Sequence, residues 1–336
     1  MSALTEPTLR PAHLGRRILP VLAILTAAGM GLAACGSGDA EAKDGKLKVV
    51  ATTDVYGSIA EAVGGDNVEV TSIIDSASQD PHSYEASPRD KLAFSKADVV
   101  VINGGGYDEF AEQLLDSLDN DPTVVTAVDS DHAFLEETGG EDHEEDAEEH
   151  AEEGDHEHHH HGEANEHVWY NAHTVSHVSE HLAEDLAEAD PDNKGDYEDN
   201  AAAFQGKIEG IEGDLTALND VAKDKTYMMT EPVPASLLDA AGLTDATPEG
   251  LSEAVEEGDE IPAAVLNQGL QKIKTGDISL FAYNAQTADD QTEKLRDAAD
   301  DAGIPVIDFT ETLPEGKDYV EWMGGNVTAV KDALSK

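Results

Sequence analysis

YEDNAAAFQGKIEGIEGDLTALNDV, residues 197–221, decides how the rest of the chain is read. Tyr197, Ala201, Phe204, Ile208, Ile211, Leu215, Leu218 and Val221 recur at spacings of three and four, which is the period of one helical face. Asp190-Pro191 just ahead is an opening signal, because a proline in the first turn gives up an N–H that has no partner anyway. The pattern predicts one helix over 190–222, about 30 residues or roughly 45 Å at ~1.5 Å per residue. Such a helix can span two lobes.

On both sides of it, short β-branched runs alternate with helical stretches. Before it, strands are expected over 47–52 (LKVVAT), 68–74, 98–103 (DVVVIN) and 122–128, with helices over 55–63, 87–97 and 110–118. Val175, Val178, Leu182 and Leu186 mark a further helix that leads up to it. After it, strands are expected over 226–230, 278–283 and 304–310, with helices over 235–241, 263–274, 288–302 and 319–334. This alternation argues for parallel sheets covered by helices. The expected fold class is therefore α/β: two α/β lobes with mainly parallel sheets, at 46–189 and 223–336, joined by the long rigid helix at 190–222. A length of 336 residues is consistent with two units, at a prior of ~150 residues per domain.

The chain carries 72 Asp and Glu against 20 Lys and Arg, a formal net charge of −52. Nucleic acid and anionic membrane surfaces repel such a surface, whereas cations are drawn to it. No nucleic-acid partner is expected.

The N-terminus has the anatomy of a secretory signal. Arg10, Arg16 and Arg17 form a basic region, an apolar stretch follows over 18–34, and Leu32-Ala33-Ala34-Cys35 closes it. The apolar stretch falls short of the ~20 residues that a membrane span requires. Cys35 is the only cysteine, so no disulfide framework exists. The Leu-Ala-Ala-Cys box resembles the bacterial lipoprotein signal and makes Cys35 the expected lipidation site. Residues 36–45 (GSGDAEAKDG) read as a flexible tether. The expected location is extracytoplasmic, lipid-anchored to the cell membrane.

Over 136–166 there is almost nothing apolar. Such a segment buries too little surface to fold alone, and a disordered loop is expected there. It holds His143, His150, His156, His158, His159, His160 and His161. His156-Glu157-His158-His159-His160 fits H-E-x-x-H, but that motif needs an amphipathic helix to hold both imidazoles on one face. No apolar residue here would dock one, so the match is coincidental.

Open α/β sheets bind ligands beyond the carboxyl ends of their strands. Four side chains of metal-ligand type stand at such positions: His82 in QDPHSYEASPRD, His167 in EHVWYNAHTV, Glu231 after YMMT and Glu311 after IPVIDFT. Two come from each lobe, so all four can meet between the lobes. His173, His177 and His181 follow i, i+4 spacing on one helix, and solvent exposure is the simpler reading of them. Gly104-Gly105-Gly106 lacks both G-K-[ST] and G-x-G-x-x-G framing and reads as a tight turn rather than a phosphate site.

These segments together resemble the zinc and manganese solute-binding lipoproteins of bacterial ABC importers, cluster A-I or solute-binding protein family 9. The resemblance covers nearly the whole chain after Cys35. PHSYEASPRDKLAFSKADVVVINGGGYDE is similar to the family's first-lobe signature, and EHVWYNAHTV to its second ligand motif, with Asn171-Ala172 where relatives usually carry Asp-Pro. TEPVPASLLDAAGL and DFTETLPEGKDYVEWM match the third and fourth segments. Glu231 stands where zinc-type members commonly carry His, and Glu311 where relatives often carry Asp. The resemblance implies that His82, His167, Glu231 and Glu311 are the metal ligands. It also implies a fold of two α/β lobes on one rigid helix, and a monomer that hands its ion to the membrane permease of an ABC importer. A histidine-rich loop is typical of the zinc-type branch, and the loop histidines are expected to collect metal.

The expected function is thus a receptor that binds a divalent transition metal between its lobes, with Zn2+ preferred and Mn2+ the alternative. Two imidazoles and two carboxylates close a zinc site, and the same set suits Mn2+ because oxygen ligands weigh more there. A secreted metalloenzyme would need a bound water and a placed general base, which no motif supplies; an adhesin role is compatible with the resemblance. From an unperturbed histidine pKa of ~6.5, metal affinity is expected to fall between about pH 7 and pH 5.

Overall fold

Alternate residues of the strands point into different cores, and this organises the molecule. The computed structural model describes residues 45–131, 135 and 164–335. The first sheet is built from β1 Leu47–Thr53, β2 Val68–Ile74, β3 Val99–Ile102 and β4 Thr123–Thr126, with helices α1 Asp54–Gly64, α2 Pro88–Phe94 and α3 Glu109–Asp116 between them. Helices α4 Ala172–Ala189, α5 Lys194–Thr216 and the short α6 Asn219–Ala222 follow. The second sheet is built from β5 Thr226–Met229, β6 Thr244–Asp245, β7 Leu280–Asn284 and β8 Val306–Phe309. Its helices are α7 Ala235–Ala240, α8 Ser252–Glu256, α9 Ala263–Thr275, α10 Asp290–Ala302 and α11 Tyr319–Leu334.

The strand orders are β2-β1-β3-β4 and β6-β5-β7-β8, and every pairing is parallel. The two α/β lobes therefore share one topology. Val49 and Ala51 of β1, Val99 and Val101 of β3, Tyr227 and Met229 of β5, and Leu280 and Ala282 of β7 all join one hydrophobic cluster common to both lobes. The intervening residues turn away. Val50, Val100 and Ile102 enter a separate core of the first lobe, and Met228, Phe281 and Tyr283 one of the second. Strands buried on both faces read as continuous apolar runs, which is why DVVVIN and LFAYN show no polar alternation.

Helix α5 supplies Tyr197, Ala201, Phe204, Ile208, Ile211 and Leu215 to the shared cluster. It packs on α1 and α4 at one side and on α7 and α11 at the other. Hydrogen bonds tie the lobes directly: Tyr170 Oη donates to Thr310 O (2.7 Å), Tyr319 Oη to Trp169 O (2.7 Å), and the Leu313 amide to Asp54 Oδ1 (3.1 Å).

The linking helix is present over 191–222 but is bent. Residues 190–222 are three pieces: a 3-10 turn at Pro191–Asn193, then α5, then α6. The break falls where Leu218 N bonds Leu215 O and Val221 N bonds Leu218 O, one residue tighter than the α pattern, beside the poor helix formers Asn219 and Asp220. Val221 consequently leaves the apolar stripe and is 46 % exposed. Helix α2 is shorter than 87–97, and Leu92 faces solvent while Phe94 is buried. Its start is as expected, with Ser87 and Asp90 forming a reciprocal cap around Pro88. The strand expected at 122–128 ends at Thr126 in a 3-10 turn over Ala127–Ser130. Strand β6 and helix α8 escaped the sequence reading, being only two and five residues long.

No helix among the described residues is long and apolar enough to cross a membrane. Cys35 with the signal at 1–35, most of the tether, and His143, His150, His156, His158, His159, His160 and His161 lie outside the described residues.

Candidate metal centre

Glu231 and Glu311 stand just beyond β5 and β8, at the carboxyl ends of the second sheet. His82 lies in the loop between β2 and α2, and His167 immediately precedes a 3-10 turn at Val168–Tyr170. The two histidines are thus held by loop and turn packing rather than by strand ends. Chain topology brings three of the four together and leaves Glu231 outside that group. One ligand atom each from His82, His167 and Glu311 lies within 4.8 Å of the other two. Glu231 is coupled to this group through Asn284, whose Nδ2 donates both to Glu231 Oε2 and, at 2.7 Å, to Glu311 Oε1. Thr287 Oγ1 also donates to Glu231 Oε2 (2.6 Å), and Tyr107 Oη to Glu311 Oε2 (3.4 Å).

His167, Glu231 and Glu311 are buried, whereas the His82 side chain is 27 % accessible at the edge. Burial acts on each group as desolvation, which penalises the charged form. It pulls His167 down to about 3, with His82 adding to the effect. It lowers His82 as well, against a small opposing pull from Asp80. Burial pushes Glu311 up to about 8, with the Glu231 charge beside it adding to the rise, and raises Glu231 despite its hydrogen bonds to Thr287 and Asn284. Two neutral imidazoles beside two carboxyl groups that resist ionisation describe a pocket that lacks positive charge. His167 Nδ1 lies 3.7 Å from Glu256 Oε1, but a neutral ring makes no ion pair there.

The tautomer of His167 is set by Asn165. The Asn165 carboxamide nitrogen donates to Pro232 O (2.9 Å), and its oxygen accepts from the His167 amide (3.0 Å). That same oxygen lies 2.8 Å from His167 Nδ1, so Nδ1 carries the hydrogen and Nε2 keeps the lone pair that a metal needs. Aromatic rings fix the imidazole planes: Tyr107 lies 5.0 Å from His82 and 5.8 Å from His167 between centroids, and Trp169 lies 5.1 Å from His167. Replacing Asn165 with alanine is expected to weaken Zn2+ binding about 10- to 100-fold, the usual effect of losing a group that orients a ligand. Isothermal titration reads this directly; an unchanged dissociation constant would show that Asn165 does not set the tautomer.

Asn165, Asn284, Tyr107 and Trp169 were not singled out by sequence. A polar Asn ending the apolar run LFAYN is the one sequence signal by which Asn284 could have been found. The Gly104-Gly105-Gly106 segment is the expected tight turn: the Asn103 and Gly104 amides donate to the Asp108 carboxylate (2.7 and 2.9 Å). A Cβ on Gly104, at φ +78°, would lie 2.6 Å from Thr126 Cγ2. On α4, His173 and His181 are exposed and His177 is partly so. None of the three joins a group of converging ligand atoms among the described residues.

Above the centre opens a cleft of about 910 Å3, lined in part by Asp80, His82, Glu109, Glu166, Asp245, Glu253, Glu256 and Glu257. Its described lining includes no Lys or Arg, so the approach to the buried group is strongly cation-attracting.

A family model described as zinc-uptake complex component A, periplasmic (ZnuA), matches residues 49–333. The chain is 28 % identical to the manganese ABC transporter substrate-binding lipoprotein ScaA of Streptococcus gordonii, over 94 % of this chain and 98 % of that one. It is 26 % identical to the manganese ABC transporter substrate-binding lipoprotein PsaA of Streptococcus pneumoniae, over 96 % and 100 %. In fold it is similar to the periplasmic zinc-binding protein TroA of Treponema pallidum, with a TM-score of 0.69 at 18 % identity, covering 87 % of this chain and all of that one. A ZnuA crystal structure superposes with a TM-score of 0.67 at 21 % identity, covering 86 % and 99 %.

Proposed function

The chain belongs to the ZnuA family, and from that premise we propose that it holds Zn2+ with His82, His167, Glu231 and Glu311 and passes it to the permease of an ABC importer. It is a metal-binding receptor of an ABC transporter and not an enzyme. The convergence of His82 and His167 with Glu311, from opposite lobes onto one point within 4.8 Å, carries the ligand assignment. The metal is cargo, so tight capture and release are what the site must achieve. Glu231, bridged to Glu311 by Asn284, completes the set at four.

Zinc is favoured by the compact group of two imidazoles and a nearby carboxyl pair, which suits four-coordination, and by the histidine-rich segment at 141–161. Manganese is the second reading. It is favoured by the two carboxylates and by the manganese-named relatives in Streptococcus. The domain scheme proposed with this function has a lipoprotein signal at 1–35, lipid on Cys35, a tether at 36–45, lobes at 46–189 and 223–336, and a link at 190–222. The anchored receptor acts as a monomer outside the cell membrane. Elemental analysis of protein taken from its native envelope tests the metal assignment. Near-stoichiometric zinc is the expected result, and manganese in its place would select the second reading.

A further inference from the structure

We propose that His82, Glu166 and Glu256 form an outer metal position at the cleft mouth, where an ion halts before passing to the buried group of His82, His167 and Glu311. The inference rests on the receptor reading above. One ligand atom from each of the three again lies within 4.8 Å of the others, and His82 Nδ1 is 3.6 Å from Glu166 Oε1. The Glu166 and Glu256 side chains are 19 % and 21 % accessible, so an ion arriving through the cleft meets them before the buried carboxylates.

The outer position abuts the inner one. Glu256 Oε1 lies 3.7 Å from His167 Nδ1, and Glu166 is the chain neighbour of His167. The backbone carrying Glu166 is fixed, since its carbonyl accepts from Asn103 Nδ2 at 3.0 Å. His82 belongs to both groups. A neutral imidazole offers one lone pair, so His82 serves one ion at a time. The outer position is therefore a stage on the route and not a second store. An ion moves inward by exchanging the Glu166 and Glu256 carboxylates for His167 and Glu311, with His82 in reach throughout.

The test compares two variants of the full chain with equal charge loss from one cleft. Glu166→Gln with Glu256→Gln removes the outer ligands. Glu253→Gln with Glu257→Gln removes the same charge from exposed positions of the same lining. Zn2+ capture is followed by stopped-flow tryptophan emission, since the Trp169 ring lies 5.1 Å from that of His167. The Glu166/Glu256 pair is expected to slow capture about tenfold or more and to leave one tight zinc per chain, while the control pair slows it less, as general steering alone requires. Equal slowing by both pairs would overturn the outer position and leave the receptor reading standing. Loss of the tight zinc from the Glu166/Glu256 pair alone would also overturn it, by making those residues ligands of the inner site. Absence of tight zinc from the unaltered chain would overturn both readings together.

Discussion

His167→Ala is expected to abolish the tight zinc phase, weakening that site by more than about 100-fold, because loss of a ligand exceeds the effect of losing a partner that merely orients one. The weaker uptake of several ions by the histidine-rich segment should persist. Excising 141–161 should do the reverse. The cause is preorganisation. Before any metal arrives, His167 is buried against Trp169 and Tyr107, its tautomer is fixed by Asn165, and Glu311 is held by Asn284. The seven histidines of 141–161 are expected to bind more weakly, because the only apolar residues of that stretch are Ala147 and Ala151 and ordering it for an ion costs entropy. Isothermal titration of both variants with Zn2+ separates the cases. A tight phase that survives His167→Ala and disappears on excision would reverse the assignment.

Acidification is expected to weaken zinc binding about tenfold per pH unit below pH ~8, because one proton must leave for each ion bound. The group responsible is Glu311, pushed up to about 8 by burial and by Glu231. Histidine protonation between pH 7 and pH 5 is the competing source, and burial works against it by lowering both rings. Burial draws His167 down to about 3, which keeps that ring neutral over this range, and it lowers His82 as well. The metal-free fold should respond in the opposite sense. A carboxyl raised from its ordinary 4.5 to about 8 holds a proton in the folded chain that the unfolded chain has lost. Stability is thus fully present below pH 4.5 as far as this group is concerned, and declines as pH rises through 8. Bound zinc removes that penalty, so the zinc-induced rise in melting temperature should grow with pH. Calorimetry in two buffers of different ionisation enthalpy counts the protons. Zero proton release at pH 7, with a flat affinity between pH 8 and pH 6, would rule out Glu311 as the titrating ligand.

Local pattern determined much of this molecule. The 197–215 stripe and the flanking βα alternation specify two α/β lobes on a linking helix, because burial on one face or on two leaves a period that any window of sequence displays. Residue type and position beyond a strand singled out Glu231 and Glu311, and two isolated histidines, His82 and His167, before any coordinates. Only the tertiary structure decided the surroundings of these groups. The sequence assigned His167 an ordinary histidine pKa, since nothing in EHVWYNAHTV records its burial under Tyr107 and Trp169. Asn284 is one polar residue at the end of an apolar strand until β5, β7 and β8 align and place it between two carboxylates. Asn165, separated from Pro232 by 67 positions, acquires its role only when the lobes meet. The break after Thr216 likewise depends on balances of a single turn that a helical period does not register. Periodicity is a property of neighbours in the chain, and these lobes are set by neighbours. Desolvation, tautomer and ligand convergence depend on groups far apart in sequence, and only the packed fold brings those together.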